Sequence, residues 1–285
     1  MIINGNRFIR RYKATTLAEY INRIGLVSAK DPLYFRGLSN NTYKLTPSLC
    51  RKGYNSVSMM AESKLVEYAE QQFPNSFVKP TPVLLLANMQ HYGIPTRMMD
   101  VTGNALVALY FACRNSSVDG NVVVFSGKTV SAYNVFANII SDTYRLTNNA
   151  ITTLEKYSYL ICKQSYASSL LYPNWEADLS KFTIYIKMLQ IPIIVDVGAV
   201  NQRQINQDGK FILFPNKISK KCILNELVTL DSSSELIQAC IDIPKESKAR
   251  ILDQLKLVGI TETFLFPDNI ESVCNMIKQR ILDEQ

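Results

Sequence analysis

Histidine is nearly absent from this chain: His91 is the only one in 285 residues. That scarcity argues against histidine-rich metal clusters and HExxH zinc sites. A Ser-His-Asp site would have to use His91, and no particular serine is marked out to join it. The six cysteines (Cys50, Cys113, Cys162, Cys222, Cys240, Cys274) never form a CxxC pair. Reduced, mostly buried thiols are expected and no metal is expected. Glycine and proline number 11 each, too few for linkers or low-complexity tracts. GxGxxG, Walker and GxSxG motifs are missing. Long apolar runs are missing too: the longest, residues 82–87 and 105–113, fall far short of a bilayer span, and residues 1–11 hold no apolar stretch of signal-peptide length. The expectation is a cytoplasmic protein with no membrane partner.

What is present is 47% hydrophobic residues and 19% charged ones, a globular composition with a large core. The net charge of +7 suits nucleic acid, a nucleotide or another polyanion. Its basic residues are scattered, however, without a run of five or an arginine-rich arm, and solvated surface charge is the simpler reading.

The capping box Thr16–Glu19 opens an amphipathic helix to about Leu26. A short strand is expected at Leu33–Arg36, ending at Gly37, followed by an extended segment, Leu45–Leu49. Helices are expected at Met59–Phe73, from Pro82 to Gln90 or His91 with Gly93 as the stop, and at Asn104–Ala112, apolar on nearly every side. A strand follows at Asn121–Phe125. Residues 130–180 are polar, tyrosine-rich and in part helical. Further strands are expected at Ile191–Asp196, Lys210–Phe214, Leu224–Leu230 and Leu236–Ile243. Pro244 starts a helix to Leu257, and Asp268–Glu271 is a second capping box opening a last helix. Helices and strands interleave without the beat of a doubly wound fold. The fold class expected is α+β: a mixed, irregular β-sheet flanked by helices, in one unit spanning 1–285, with a first region at 16–126 and a C-terminal part at 180–285 that completes the sheet.

Three clusters could carry chemistry. Arg36, at the end of a strand and beside Gly37, could grip phosphate or carboxylate with its fork where a ligand approaches closely; a salt bridge to Glu62 is the structural alternative. The turn from Gln90 to Asp100 gathers His91, Tyr92, Thr96, Arg97 and Asp100. His91, at a helix C-terminus, could carry a proton or donate to a ligand, or simply cap the last carbonyls. Arg97 and Asp100 could serve a ligand or form a buried ion pair, and Asp100 or Thr102 could cap the next helix. The third cluster, Asn201 to Phe211, is a polar loop between strands that sets Gln207 at the lip of the sheet.

Phe35-Arg36-Gly37, the segment Thr46-Pro47-Ser48-Leu49 with Arg51, and the block from Gln90 through Thr102 into Asn104–Ala112 together resemble the FRG domain, a bacterial family named for Phe-Arg-Gly. Met99 stands where the family usually has leucine. The stretch Arg203–Phe211 and several C-terminal residues resemble blocks that follow the FRG region in many members. Leu33–Gly37 is also similar to the first-strand Tyr-Arg-Gly of arginine-type ADP-ribosyltransferases, whose arginine holds NAD phosphates. The Ser-Thr-Ser strand and Glu-x-Glu turn of those enzymes have no counterpart at a suitable place, and Gln207 stands where a glutamate would be expected. These resemblances imply a fold like that of the ADP-ribosyltransferases. They imply an anionic small molecule or nucleotide as ligand, NAD among the candidates for cofactor. Arg36, Gly37, Tyr92, Thr96, Arg97 and Asp100 would bind it, and His91 and Gln207 would be the catalytic pair. A toxin or phage-defence effector is the role implied by analogy; the alternative is a non-catalytic module that binds nucleic acid or another partner.

Overall fold

The structure is a computed structural model and describes residues 2–4, 7–51, 58–77, 79–147, 151–167, 185–198, 201–219, 221–231 and 234–267. The sheet is built around the apolar β-branched run of the first region. Strand β5 (Gly120–Ser126) is buried along almost its whole length, as a central strand requires. On one side it pairs antiparallel with β3 (Leu33–Leu38), and on the other with β12 (Ile237–Ile243). Beyond β12 lies β2 (Arg7–Lys13), parallel to it, and then β1 (Ile2–Asn4). Beyond β3 come β4 (Met98–Thr102), β9 (Gly209–Leu213), β8 (Ile193–Asp196) and β6 (Thr129–Ser131). The nine strands run in the order β1-β2-β12-β5-β3-β4-β9-β8-β6, parallel only at β12/β2 and β6/β8. A second, three-stranded sheet joins β10 (Asn216–Ser219), β11 (Cys222–Leu227) and β7 (Thr152–Thr153). The fold is therefore mixed α+β with an irregular sheet, in which strands from both ends of the chain alternate.

Helices cover the faces. Helix α1 (Leu17–Gly25) starts where Thr16 caps the Glu19 amide; Glu19 reaches back one residue farther than a standard capping box, accepting from Thr15 N. Helices α2 (Ser58–Gln72) and α3 (Pro74–Phe77) precede α4 (Pro82–His91), which has proline in its first turn and is closed past Tyr92 by Gly93 at φ +81°. Helix α5 (Ala105–Cys113) is buried on most sides and lies directly on β3. Asn104 caps it through Leu106 N and Val107 N, so neither Asp100 nor Thr102 does; Thr102 Oγ1 instead accepts from Asn104 N. Helices α6 (Val135–Ser141), α7 (Thr143–Leu146) and α8 (Leu154–Cys162) account for the described part of the tyrosine-rich stretch.

Several expectations shift. The strand at Arg36 runs on through Gly37 to Leu38. Strand β4 replaces what read as a turn leading into a helix, and β1, β2 and β10 were not anticipated. The stretch after Pro47 tightens into a 3-10 turn at Ser48–Cys50, and a 3-10 turn at Lys245–Ser247 precedes α10 (Lys248–Leu257), the helix expected from Pro244. The capping box at Asp268 lies outside the described residues. Among the described residues only Cys113 is fully buried; Cys50, Cys162, Cys222 and Cys240 are half-buried. No helix among these residues is long and apolar enough to cross a membrane.

Candidate functional site

The site forms where the sheet fails to zip. Strands β3 and β4 pair only at Phe35 and Thr102, and Arg36 stands beside this short pairing. Its Nη1 donates to the carbonyl of Asp100, tying the strands together in place of a longer ladder. A cavity of about 310 Å³ opens here, with Arg36, His91, Asp100, Gln207 and Lys210 among its polar lining and Phe35, Phe111 and Phe211 as apolar walls. The wall facing α4 is α9 (Gln202–Asn206), whose cap Asn201 also donates from Nδ2 to His91 Nδ1 at 3.1 Å. With Nδ1 accepting, the neutral imidazole keeps its proton on Nε2, free to donate to a ligand.

Arg36 is electrostatically incomplete. Its side chain is 15% exposed, its Nε is buried without a partner, and the Asp100 carboxylate stands 3.7 Å off, itself 62% exposed. Burial outweighs that carboxylate, and Arg51 adds like-charge repulsion, so the Arg36 pKa lies below its ordinary value. The group still stays cationic, and an anion docking beside it would relieve the imbalance. Lys210, by contrast, is engaged with Asp196 and Asp208, each at 3.1 Å. Asp100 is steadied by Gln90, whose Nε2 donates to it at 3.1 Å while its Oε1 accepts from Thr96 Oγ1 at 2.6 Å.

Arg36, His91, Asp100 and Gln207, distant in sequence, thus share one cleft, and Arg97 does not join them. Arg97 is fully buried, with Nε donating to Glu62 at 2.9 and 3.1 Å, Nη2 to Glu62 at 2.5 Å, and Nη1 to the Ile140 carbonyl and Asn216 Oδ1, both at 2.8 Å. Burial works against its charge, but the Glu62 carboxylate more than offsets this and holds the Arg97 pKa above its ordinary value. Glu62 is therefore the partner of Arg97 and not of Arg36, and Asp100 faces Arg36 and not Arg97. Thr96 is also fully buried, and Tyr92, 63% exposed, packs edge-on against Phe77 and His91 outside the cleft lining. Gly37 does border the cleft, but its missing side chain serves α5: a Cβ there would lie 1.9 Å from the Ala108 carbonyl oxygen. The close approach expected of a ligand is made by a helix.

The Pro-Ser segment acts as a brace. Ser48 Oγ accepts from Thr96 N at 3.1 Å and donates to Thr96 O at 3.3 Å, while Leu49 N donates to the same carbonyl. Ser48→Ala should strand the buried Thr96 amide and lower stability by about 1–3 kcal/mol, read as a lower urea midpoint at unchanged slope.

Gln207 lines the cleft with its amide already donating to the Leu265 carbonyl at 2.9 Å, and its backbone carbonyl accepts from Thr102 Oγ1. Gln90, Asn201, Gln204 and Lys210 were not singled out as site residues from the sequence. Gln90 precedes His91 in the same motif, and the others lie in the Asn201–Phe211 cluster, so proximity to the marked residues was the available signal. No group of three or more His, Cys, Asp or Glu among the described residues could hold a metal ion.

A family model for the FRG domain matches residues 31–120, the stretch that holds β3, α4, β4 and α5. No curated protein and no solved structure matches the chain. The match covers the strand that carries Arg36, the end of α4 that carries His91 and the strand that carries Asp100, whereas the Asn201–Lys210 wall lies outside it. Over residues 31–120 this chain carries an FRG domain.

Proposed function

We propose that the cleft binds an anionic ligand, a nucleotide such as NAD, with Arg36 as the anchoring cation. The observation that carries this reading is the Arg36 guanidinium: largely buried on a cavity wall, with an orphaned Nε and a solvent-facing counter-charge no nearer than 3.7 Å. A purely structural arginine in this protein looks different, as Arg97 demonstrates with its two-pronged grip on Glu62 and all three guanidinium nitrogens donating. The phenylalanine walls suit a flat apolar moiety, and the amides and His91 Nε2–H suit hydroxyls of a sugar or an acceptor. In this reading His91 and Gln207 contact the sugar or acceptor, and Asp100 orients Arg36. The role as an ADP-ribosyltransferase-like toxin or antiphage effector rests on resemblance alone.

Calorimetric titration with NAD tests this directly. The native protein should give saturable heat that Arg36→Ala weakens about tenfold or more, the value of a charge-assisted hydrogen bond. No heat from the native protein at millimolar NAD removes the NAD reading. Arg36→Ala should also leave the melting temperature nearly unchanged, since it relieves a desolvated charge as it removes one contact.

A further inference from the structure

The cleft has a second arginine at its lip, and the residue that holds it comes from far along the chain. Arg203 projects from α9, with its guanidinium carbon 4.8 Å from the centroid of the Phe266 ring. Phe266 follows α11 (Glu262–Leu265), a short helix tied to the same wall. Asn206 Nδ2 donates to the Phe264 carbonyl and Gln207 Nε2 to the Leu265 carbonyl. Phe111, on α5, meets the Phe266 ring edge-on at 6.0 Å, and Arg114 approaches the same ring at 5.5 Å. Phe266 is thus pinned between α5 and α9.

A guanidinium stacked on a ring has its face occupied and its in-plane N–H edge available. Among the described residues no carboxylate pairs with Arg203. It lines the same cavity as Arg36, whose own charge is only loosely compensated. Two under-neutralised forks bordering one cavity match a ligand with two linked anionic groups better than a lone phosphate or carboxylate.

We propose that Arg203, held against the Phe266 ring, forms a second anion subsite, and that the ligand of this cleft contains a phosphoanhydride. This rests on the anion-binding reading of Arg36 and narrows it. Phe266 is a positioning residue: it acts on the ligand only through the orientation of Arg203.

The experiment compares ADP with AMP by calorimetry on the full chain. The wild type should bind ADP about tenfold or more tightly than AMP. Arg203→Ala should bring the ADP/AMP ratio down to about one, Phe266→Leu should do the same, and Phe266→Tyr should keep the ratio. Arg203 is exposed and its substitution should not disturb the core, so the test stands even where Phe266→Leu fails to fold. A wild-type ratio near one overturns the second subsite while leaving Arg36 as an anchor. A ratio unmoved by Arg203→Ala overturns it too. A native protein that binds neither nucleotide defeats both readings together.

Discussion

Glu62→Ala should be among the most damaging single substitutions in this chain, lowering stability by about 3–5 kcal/mol and the melting temperature by roughly 10 °C. The reason is the state of Arg97 once its partner is gone. Neither side chain has any solvent exposure, so water cannot take over from the carboxylate, and three donor contacts to Glu62 vanish together. The remaining bonds, to the Ile140 carbonyl and Asn216 Oδ1, satisfy one nitrogen but not the charge. Arg97→Met should cost a similar amount, since it strands the Glu62 carboxylate instead. The double replacement Glu62→Met with Arg97→Met should cost clearly less than the two single effects summed, because an apolar pair leaves no bare charge inside. Thermal unfolding of the four proteins measures the coupling. Strict additivity would mean that the pair does not hold α2 to β4 as the contacts indicate.

Gly37→Ala should cost about 3 kcal/mol or more, through space rather than charge. A methyl group at this position would sit 1.9 Å from the Ala108 carbonyl oxygen, 2.7 Å from Ala112 N and 2.9 Å from the Ala108 carbonyl carbon. These are backbone atoms of α5, and no rotamer change can move them. The helix would have to lift off β3, opening the packing among Phe35, Val107, Ala108 and Val122. Gly25→Ala is the control. It lies in the last turn of α1 with nothing within 4 Å of a new Cβ, and alanine there should be neutral or stabilising by up to about 1 kcal/mol. Equal effects at the two glycines, read from denaturant midpoints, would show that backbone entropy and not helix contact dominates at Gly37.

Local signals located several elements well. Thr16 is a cap in the structure because a short polar side chain before an apolar run has few better partners than the free amides of the next turn, whereas α5 is capped by Asn104 and not by Asp100 or Thr102. Pro82 and Gly93 bracket α4 for equally local reasons. The β-branched run at 121–125 could hardly be anything but a buried strand. Strand β4 was missed, since a run of two methionines, an aspartate and two β-branched residues becomes a strand only when β9, more than a hundred residues later, supplies the matching edge. Residues 216–219 were likewise unreadable without β11 beside them.

The arginines mark the limit of local reading most clearly. Arg36 and Arg97 both stand next to apolar strands, with Glu62 and Asp100 as plausible partners for either, and both pairings weighed from the sequence were the wrong way round. From the order of amino acids alone came three segments that border the cavity: the Phe-Arg-Gly strand, the stretch with the lone imidazole and the amide-rich late loop. Folding in three dimensions decided which guanidinium is sealed against an acid and which is left loosely compensated at the edge of a hollow. The cause is range: caps and turns are settled by neighbours within four residues, whereas the neutralisation of a buried charge depends on whatever distant segment the packing brings within hydrogen-bond reach.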